Sequence, residues 1–191
     1  MIVRKLHANE KYKAALGMAV AFEWEMDYGK EKAQAQAMTA QQVEEADAQR
    51  PRLPSGASQT ERWGAFAQDG TTLLGSFGLA SYTVRFDGHE VPMGGIGGVA
   101  TLPQYRRCGA IRACLSAAMQ EMYQNNVLLS FLYPFSRSYY RKFGYENGAR
   151  VCTWTIPFAN LRVSHQGGHI EQLLPGDSLA PLLEIYKVIY F

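Results

Sequence analysis

The sequence predicts an α/β (α+β) fold: a mixed, mostly antiparallel central sheet with helices on its flanks. Three observations point there. Asp69-Gly70 and Asp87-Gly88 interrupt a long β-prone stretch, and Asp-Gly between such runs is a hairpin signal. Residues 11–24 place Tyr12, Ala15, Leu16, Ala19 and Val20 at helical spacing. Residues 127–132 form an apolar run broken only by Ser130, as in a strand covered on both faces.

Taken in order, residues 2–6 read as a short strand, and Asn9 is placed to cap the helix over 11–24. A second helix over 30–49 is rich in Ala, Gln and Glu, so its apolar stripe is thin and it is expected on the surface. Pro51, Pro54 and Gly56 then impose a loop. Strands over 61–68, 71–86 and 89–101 make an antiparallel meander. Leu102-Pro103 ends it, a helix follows over 106–124, and Asn125-Asn126 stops that helix. After the apolar run come a short helix over 136–141 and a strand over 150–157.

Beyond Gly167-Gly168, residues 170–177 read as a strand and turn, and 178–191 as a helix that is apolar almost all round. This repeats the strand-then-helix opening of the chain. We therefore expect one domain over 1–160 and, over 161–191, a linker and the truncated start of a second. A terminal helix packed on the first domain or on another subunit is the alternative.

Composition narrows the function. With 47% hydrophobic residues in 191, the chain can bury a sizeable core. The net charge of +2 comes from interspersed signs, and nucleic-acid binding normally needs a concentrated basic stripe, so no nucleic-acid partner is expected. Nothing approaches a membrane span. Cys108, Cys114 and Cys152 are odd in number without a CxxC pair, which argues against a disulfide framework or a zinc cluster. His7, His89, His165 and His169 lack ligand spacing, so no metal is expected. The N-terminus has no signal-peptide core, which gives a cytoplasmic setting.

The chemistry concentrates in Gly97-Gly98-Val99-Ala100-Thr101-Leu102-Pro103-Gln104-Tyr105-Arg106-Arg107-Cys108-Gly109-Ala110-Ile111-Arg112. A strand runs through a tight loop into a helix. Helix N-termini present unpaired N–H groups and the positive end of the dipole, which suits phosphate. Gly109 admits a diphosphate to the backbone without a clashing Cβ. Arg106, Arg107 and Arg112 can add charge-assisted hydrogen bonds. The glycines at 94, 95, 97 and 98 fit a bulged strand that opens into this loop.

This segment resembles the acetyl-CoA motif of the GNAT superfamily of N-acetyltransferases, commonly Q/R-x-x-G-x-G/A. Here it stands as Arg106-Arg107-Cys108-Gly109-Ala110-Ile111, with Ile in place of the last Gly or Ala. Gly109-Ala110-Ile111-Arg112 is similar to the Eis-like branch, typified by the mycobacterial enhanced intracellular survival protein. Ser136-Arg137-Ser138-Tyr139-Tyr140-Arg141-Lys142-Phe143-Gly144-Tyr145 resembles the family segment ending Y-x-R/K-F-G-Y. The resemblance covers residues 1–160, and the tail resembles the start of the second acetyltransferase-like domain of Eis-type chains.

The resemblance implies the GNAT fold with a splayed acetyl-CoA cleft, and acetyl transfer from acetyl-CoA, as co-substrate, to a primary amine. It places Val99, Ala100 and Thr101 along the pantetheine arm and thioester, and Arg107, Cys108, Gly109, Ala110, Ile111 and Arg112 around the pyrophosphate. Phe135 and Ser136 match further cofactor contacts, and Tyr140 matches the general acid. In that branch the general base is the terminal carboxylate of the full chain, and the assembly is a homo-oligomer, often a hexamer. A fragment without the base is expected to bind acetyl-CoA and turn over poorly.

For the acceptor, Phe22 and Trp24 supply aromatic surface beside Glu23, Glu25 and Asp27. That combination suits a cationic amine: an aminoglycoside, a polyamine or a lysine-bearing peptide. A helix end facing the core with solvated acids is the competing reading of the same residues.

Overall fold

The computed structural model describes residues 1–49, 59–148, 152–161 and 171–190. The chain divides into two compact units, Met1–Glu146 and Asn147–Phe191. In the first, the strands are β1 (Ile2–Lys5), β2 (Gln59–Phe66), β3 (Leu73–Phe86), β4 (His89–Ala100) and β5 (Leu129–Leu132). They lie side by side in that order, antiparallel except for the parallel pair β4–β5. The expected mixed, mostly antiparallel sheet is what forms.

Turn chemistry sets the meander. Asp87 and Gly88 both adopt positive φ (50° and 78°), as a two-residue hairpin turn with primed geometry requires. At the other turn, the Asp69 carboxylate accepts from the Thr71 and Thr72 backbone N–H, both at 2.9 Å, and from the Thr72 hydroxyl at 2.6 Å. These bonds hold its pKa down at about 2.

Helix α1 (Lys11–Phe22) follows a 3-10 turn at Ala8–Glu10. Asn9 lies within that turn and caps nothing. The Glu10 carboxylate takes the entry role: it accepts the His7 backbone N–H at 3.1 Å and the Arg4 guanidinium at 2.7 Å. The single helix expected over 30–49 is two, α2 (Tyr28–Ala37) and α3 (Ala40–Ala48). Thr39 breaks it with a reciprocal cap. Its side chain accepts the Gln42 N–H and its own N–H donates to the Gln42 side chain.

Helix α4 (Ala110–Gln124) packs on one face of the sheet and supplies the buried Ala110, Ile111, Cys114, Leu115, Ala118 and Met122. These meet Trp63, Ala65, Phe77, Leu79 and Ile96. On the opposite face, Leu6, Ala14 and Phe66 form a smaller cluster under α1. The strand expected over 127–132 shortens to β5 and is not covered on both faces. Among the described residues it is the edge of this unit's sheet, and Phe131 is 50% exposed. Helix α5 (Arg137–Arg141) completes the unit.

The second unit contains a 3-10 turn at Phe158–Asn160 and helix α6 (Ala180–Tyr190). Of the strand expected over 150–157, residues 152–157 are not in a strand, and 150 and 151 lie outside the described residues. Residues 171–174 likewise form no strand, and 170 is outside the described set. Extended backbone becomes a strand only with a ladder partner, and no strand is described within this unit. Leu182, Leu183, Ile185 and Tyr186 of α6 are all more than half exposed.

Candidate functional site

The cleft arises from strand divergence. The β4–β5 ladder ends at the pair Ile96–Leu132, while β4 continues to Ala100. Backbone groups of β4 beyond Ile96 therefore face an opening and can pair with a ligand. Here β4 also bulges. Against β3 the register steps from Gly78–Gly97 to Ser76–Ala100, so Gly98 and Val99 on β4 oppose the single residue Phe77 on β3. Gly98 sits in the bulge with φ +58°. A bulge re-aims neighbouring N–H groups out of the ladder, as an oxyanion-binding donor requires.

The opening leads into a cleft of about 680 Å³. Val99, Ala100 and Thr101 form one wall, and Arg107, Gly109, Ala110, Ile111 and Arg112 form its end. Phe135 and Tyr139 also line it. The α4 entry geometry explains why that end suits an anion. The helix begins at Ala110 rather than at 106, because Arg107 (φ 64°) and Gly109 (φ 85°) both take left-handed backbone. Among the described residues no side chain caps the helix, and the first intrahelical donor is Ala113, bonded to Gly109. The N–H groups of Ala110, Ile111 and Arg112 thus lack helical partners. Ala110 and Ile111 are meanwhile anchored in the core, which fixes the tip. Arg107 holds a conformation that costs a non-glycine residue about 1–2 kcal/mol. Such strain clusters at binding loops.

Cys108 is exposed, with its thiol against the Tyr105 carbonyl at 2.9 Å; it belongs to the loop but does not line the cleft. Ser136 caps α5, accepting the Tyr139 N–H at 3.4 Å, so its hydroxyl serves the helix end. Gly144 closes α5 with φ +87°, the role its place in Phe143-Gly144-Tyr145 suggests.

Two adjacent tyrosines divide the aromatic wall. Tyr139 lines the cleft. Tyr140 does not; it is 3% exposed and packs edge-on against Phe135 (5.5 Å between centroids), Tyr139 (5.2 Å) and Tyr145 (6.1 Å). Burial, with the neighbouring phenols, pushes the Tyr140 hydroxyl up to about 12, so it holds its proton throughout the neutral range. Tyr145 is tied down by Ser130 at 2.6 Å, and Ser130 donates to the Gly94 carbonyl at 3.0 Å. Arg112 lies over the Phe143 ring at 5.4 Å.

Phe22 and Trp24 stack on each other at 5.3 Å, largely exposed at the end of α1, and neither lines the cleft. Sequence reasoning missed Tyr105 and Tyr139, which do. It also missed Arg62, which lies on the α1 face of the sheet beside the bulge. No motif marks any of the three. Among the described residues no cluster could hold a metal, and no helix is long and apolar enough to cross a membrane.

Comparison with known proteins agrees with this geometry. Residues 10–148 match the family described as Acetyltransferase (GNAT) domain. A structure from Enterococcus faecalis named a probable N-acyltransferase is 29% identical, with a TM-score of 0.56. The match covers 76% of this chain and 32% of that one, so the chain spans about a third of that protein's length. A Trypanosoma brucei acetyltransferase (17% identity, TM-score 0.55) covers 81% of this chain and is itself 99% covered. Glucosamine-6-phosphate N-acetyltransferase from Arabidopsis thaliana (10%, 0.55) covers 82% and is 98% covered. At those identities the likeness is one of fold. Among curated proteins, no match is found. With the family description spanning most of the first unit and a splayed, bulged strand opening onto an uncapped helix tip, the chain belongs to the GNAT acetyltransferase family.

Proposed function

We propose that this acetyltransferase moves the acetyl group of acetyl-CoA directly to a primary amine, with Tyr140 as general acid. The observation that carries the reading is the convergence of the β4 bulge and the free N–H groups of α4 on one cleft. Acetyl-CoA has a diphosphate and a thioester that match those two features.

In this reading the diphosphate takes the N–H groups of Ala110, Ile111 and Arg112, with Arg107 adding charge. The pantetheine follows Val99, Ala100 and Thr101. Cys108, Phe135 and Ser136 contribute through the loop and the aromatic wall. The amine nitrogen attacks the thioester carbon, and the growing oxyanion is held by an N–H of the bulge. The C–S bond then breaks and its electron pair leaves with sulfur. A proton from the Tyr140 phenol goes to sulfur, the nitrogen loses one proton to a base, and solvent restores the phenol. A hydroxyl held near 12 stays available as a donor but is a weak acid. Its contribution is therefore a strong hydrogen bond to the developing thiolate, with transfer completed as sulfur departs.

The Eis-like assignment belongs to the same proposal. It brings with it a terminal carboxylate as base, a homo-oligomer, a cytoplasmic setting and a second acetyltransferase-like domain opening at 161–191. Support comes from Gly109-Ala110-Ile111-Arg112 and from a relative about three times the matched length. Phe22, Trp24 and the acids around them are the proposed acceptor side. The enclosed Tyr140 ring favours one alternative, a domain that binds acyl-CoA without turnover.

The test is a CoA-release assay on the full-length protein with polyamines, aminoglycosides and lysine-containing peptides. The expected result is thiol release matched by acetylated amine, abolished in Gly109→Asp together with acetyl-CoA binding by calorimetry. Acetyl-CoA binding without product on any amine would establish the alternative. Unchanged affinity in Gly109→Asp would sink the cleft assignment.

A further inference from the structure

On the α1 side of the sheet, one buried cation has no carboxylate partner among the described residues. Arg62, on β2, lies across Gly78, where an added Cβ would come within 3.5 Å of its Cζ. It also borders the bulge: a Cβ at Gly98 would stand 2.9 Å from its Nη1. Its contacts are poor for a guanidinium. Nη1 reaches the Met18 sulfur at 3.3 Å and the Gly98 carbonyl at 3.5 Å, the outer limit of a hydrogen bond. Among the described residues no carboxylate lies within 4.0 Å of it. Burial alone lowers its pKa, with no charge offsetting the effect. By contrast, Arg4 and Lys5 near the same sheet end are paired with Glu10, Glu61 and Glu121.

A desolvated cation without a counter-charge is costly to the fold. Five donors arranged as a fork suit a carboxylate or phosphate. The surface beside it has room, since a Cβ at Gly97 would meet nothing within 4 Å. On α1, Phe22 follows Met18 by one helical turn and stacks with Trp24, next to Glu23 and Glu25. A site for an anion at the bulge and an acidic, aromatic approach for a cation at the end of α1 therefore share one side of the sheet.

We propose that Arg62 is a specificity residue that binds an anionic group, carboxylate or phosphate, carried by the acceptor close to its reacting amine. The acceptor is then zwitterionic, an amino-acid-like or phosphoamine compound. The anion docks on Arg62, which holds the amine against the bulge where the thioester carbonyl lies. The guanidinium also disfavours a second positive charge nearby, so the bound amine is more readily neutral and nucleophilic. This inference rests on the acetyl transfer proposed above.

The test uses the full-length protein and matched acceptors: phenylalanine with phenethylamine, lysine with 1,5-diaminopentane, and O-phosphoethanolamine with ethanolamine. A single ordered charged contact predicts that kcat/KM favours the anionic member of a pair by about tenfold to a hundredfold. The carboxylate and phosphate arms tell the two anions apart. Arg62→Met should erase that preference and Arg62→Lys restore part of it. Acetyl-CoA affinity, measured separately by calorimetry, should stay within about twofold in both variants, which also shows that they fold. The proposal is overturned if neutral and anionic acceptors are used equally, or if Arg62→Met lowers acetyl-CoA affinity as much as kcat/KM. The latter would make Arg62 a brace for the bulge. Absence of transfer to every amine, with acetyl-CoA still bound, would remove the transferase reading itself and this one with it.

Discussion

The adjacent tyrosines show what one residue of offset means on a helix. Tyr139 and Tyr140 differ by about 100° around α5, so one faces the cleft and the other enters the core. The motif Y-x-R/K-F-G-Y selects Tyr140 from the sequence, while the cleft wall belongs to Tyr139. If Tyr140 is the acid, Tyr140→Phe lowers kcat about 100-fold or more and leaves the acetyl-CoA Kd within about twofold. Steady-state kinetics with calorimetry decide it. A normal kcat in Tyr140→Phe, with a collapse in Tyr139→Phe, moves the role to the neighbour. Gly109 was readable because its left-handed backbone and the phosphate access proposed for it both favour a residue without Cβ. Arg62 was not, because an unpaired arginine is defined by what fails to surround it.

Among the elements, α4 matters most, and its placement depends on glycine across the interface. Gly75 on β3 leaves space for its first turn. A Cβ there would stand 2.9 Å from Thr101 Oγ1, 3.0 Å from Ile111 Cδ1 and 3.3 Å from Ala110 Cβ. Gly75→Val therefore overpacks the seam beneath the α4 tip proposed to take the diphosphate, at a cost of about 1–3 kcal/mol. Thermal melting should record the loss, and acetyl-CoA affinity should fall about tenfold or more as the tip shifts. Wild-type affinity in a variant that is merely less stable would show that the tip does not need this support. Element boundaries follow the same logic. The split between α2 and α3 was present in Thr39 and Gln42, a capping box inside a helix-prone stretch. The late start of α4 was not, since a left-handed Arg107 has no sequence signature.

For the whole molecule, buried neutral acids set the alkaline limit of stability. Burial raises the Cys114 thiol from 9.0 to about 12 and the Tyr140 phenol from 10.0 to about 12, and it raises Tyr145 as well. Between the unfolded and folded values the native state binds more protons than the unfolded one. Stability therefore falls as pH rises across that window, by about 1.4 kcal/mol per pH unit for each such group. Below pH 9 both states are protonated and the full contribution is present. Melting temperatures from pH 7 to 12 should be level at first and fall above about pH 9 to 10. A flat profile to pH 11 would mean that these groups are solvated in the folded protein.

The chain by itself determined the sheet's meander, the order of the five strands and of α1, α4 and α5 among them, and the glycine-arginine loop that opens α4. These rest on local rules: Asp-Gly turns, apolar periodicity, and residues that tolerate positive φ. Only the tertiary structure decided where β4 and β5 part, which tyrosine lines the cleft and, among the described residues, that β5 is a half-exposed edge and that Arg62 stands beside the bulge without a counter-charge. Each of those depends on segments far apart in the chain meeting across the sheet. Burial and charge pairing are properties of such encounters, and no single stretch of sequence contains them.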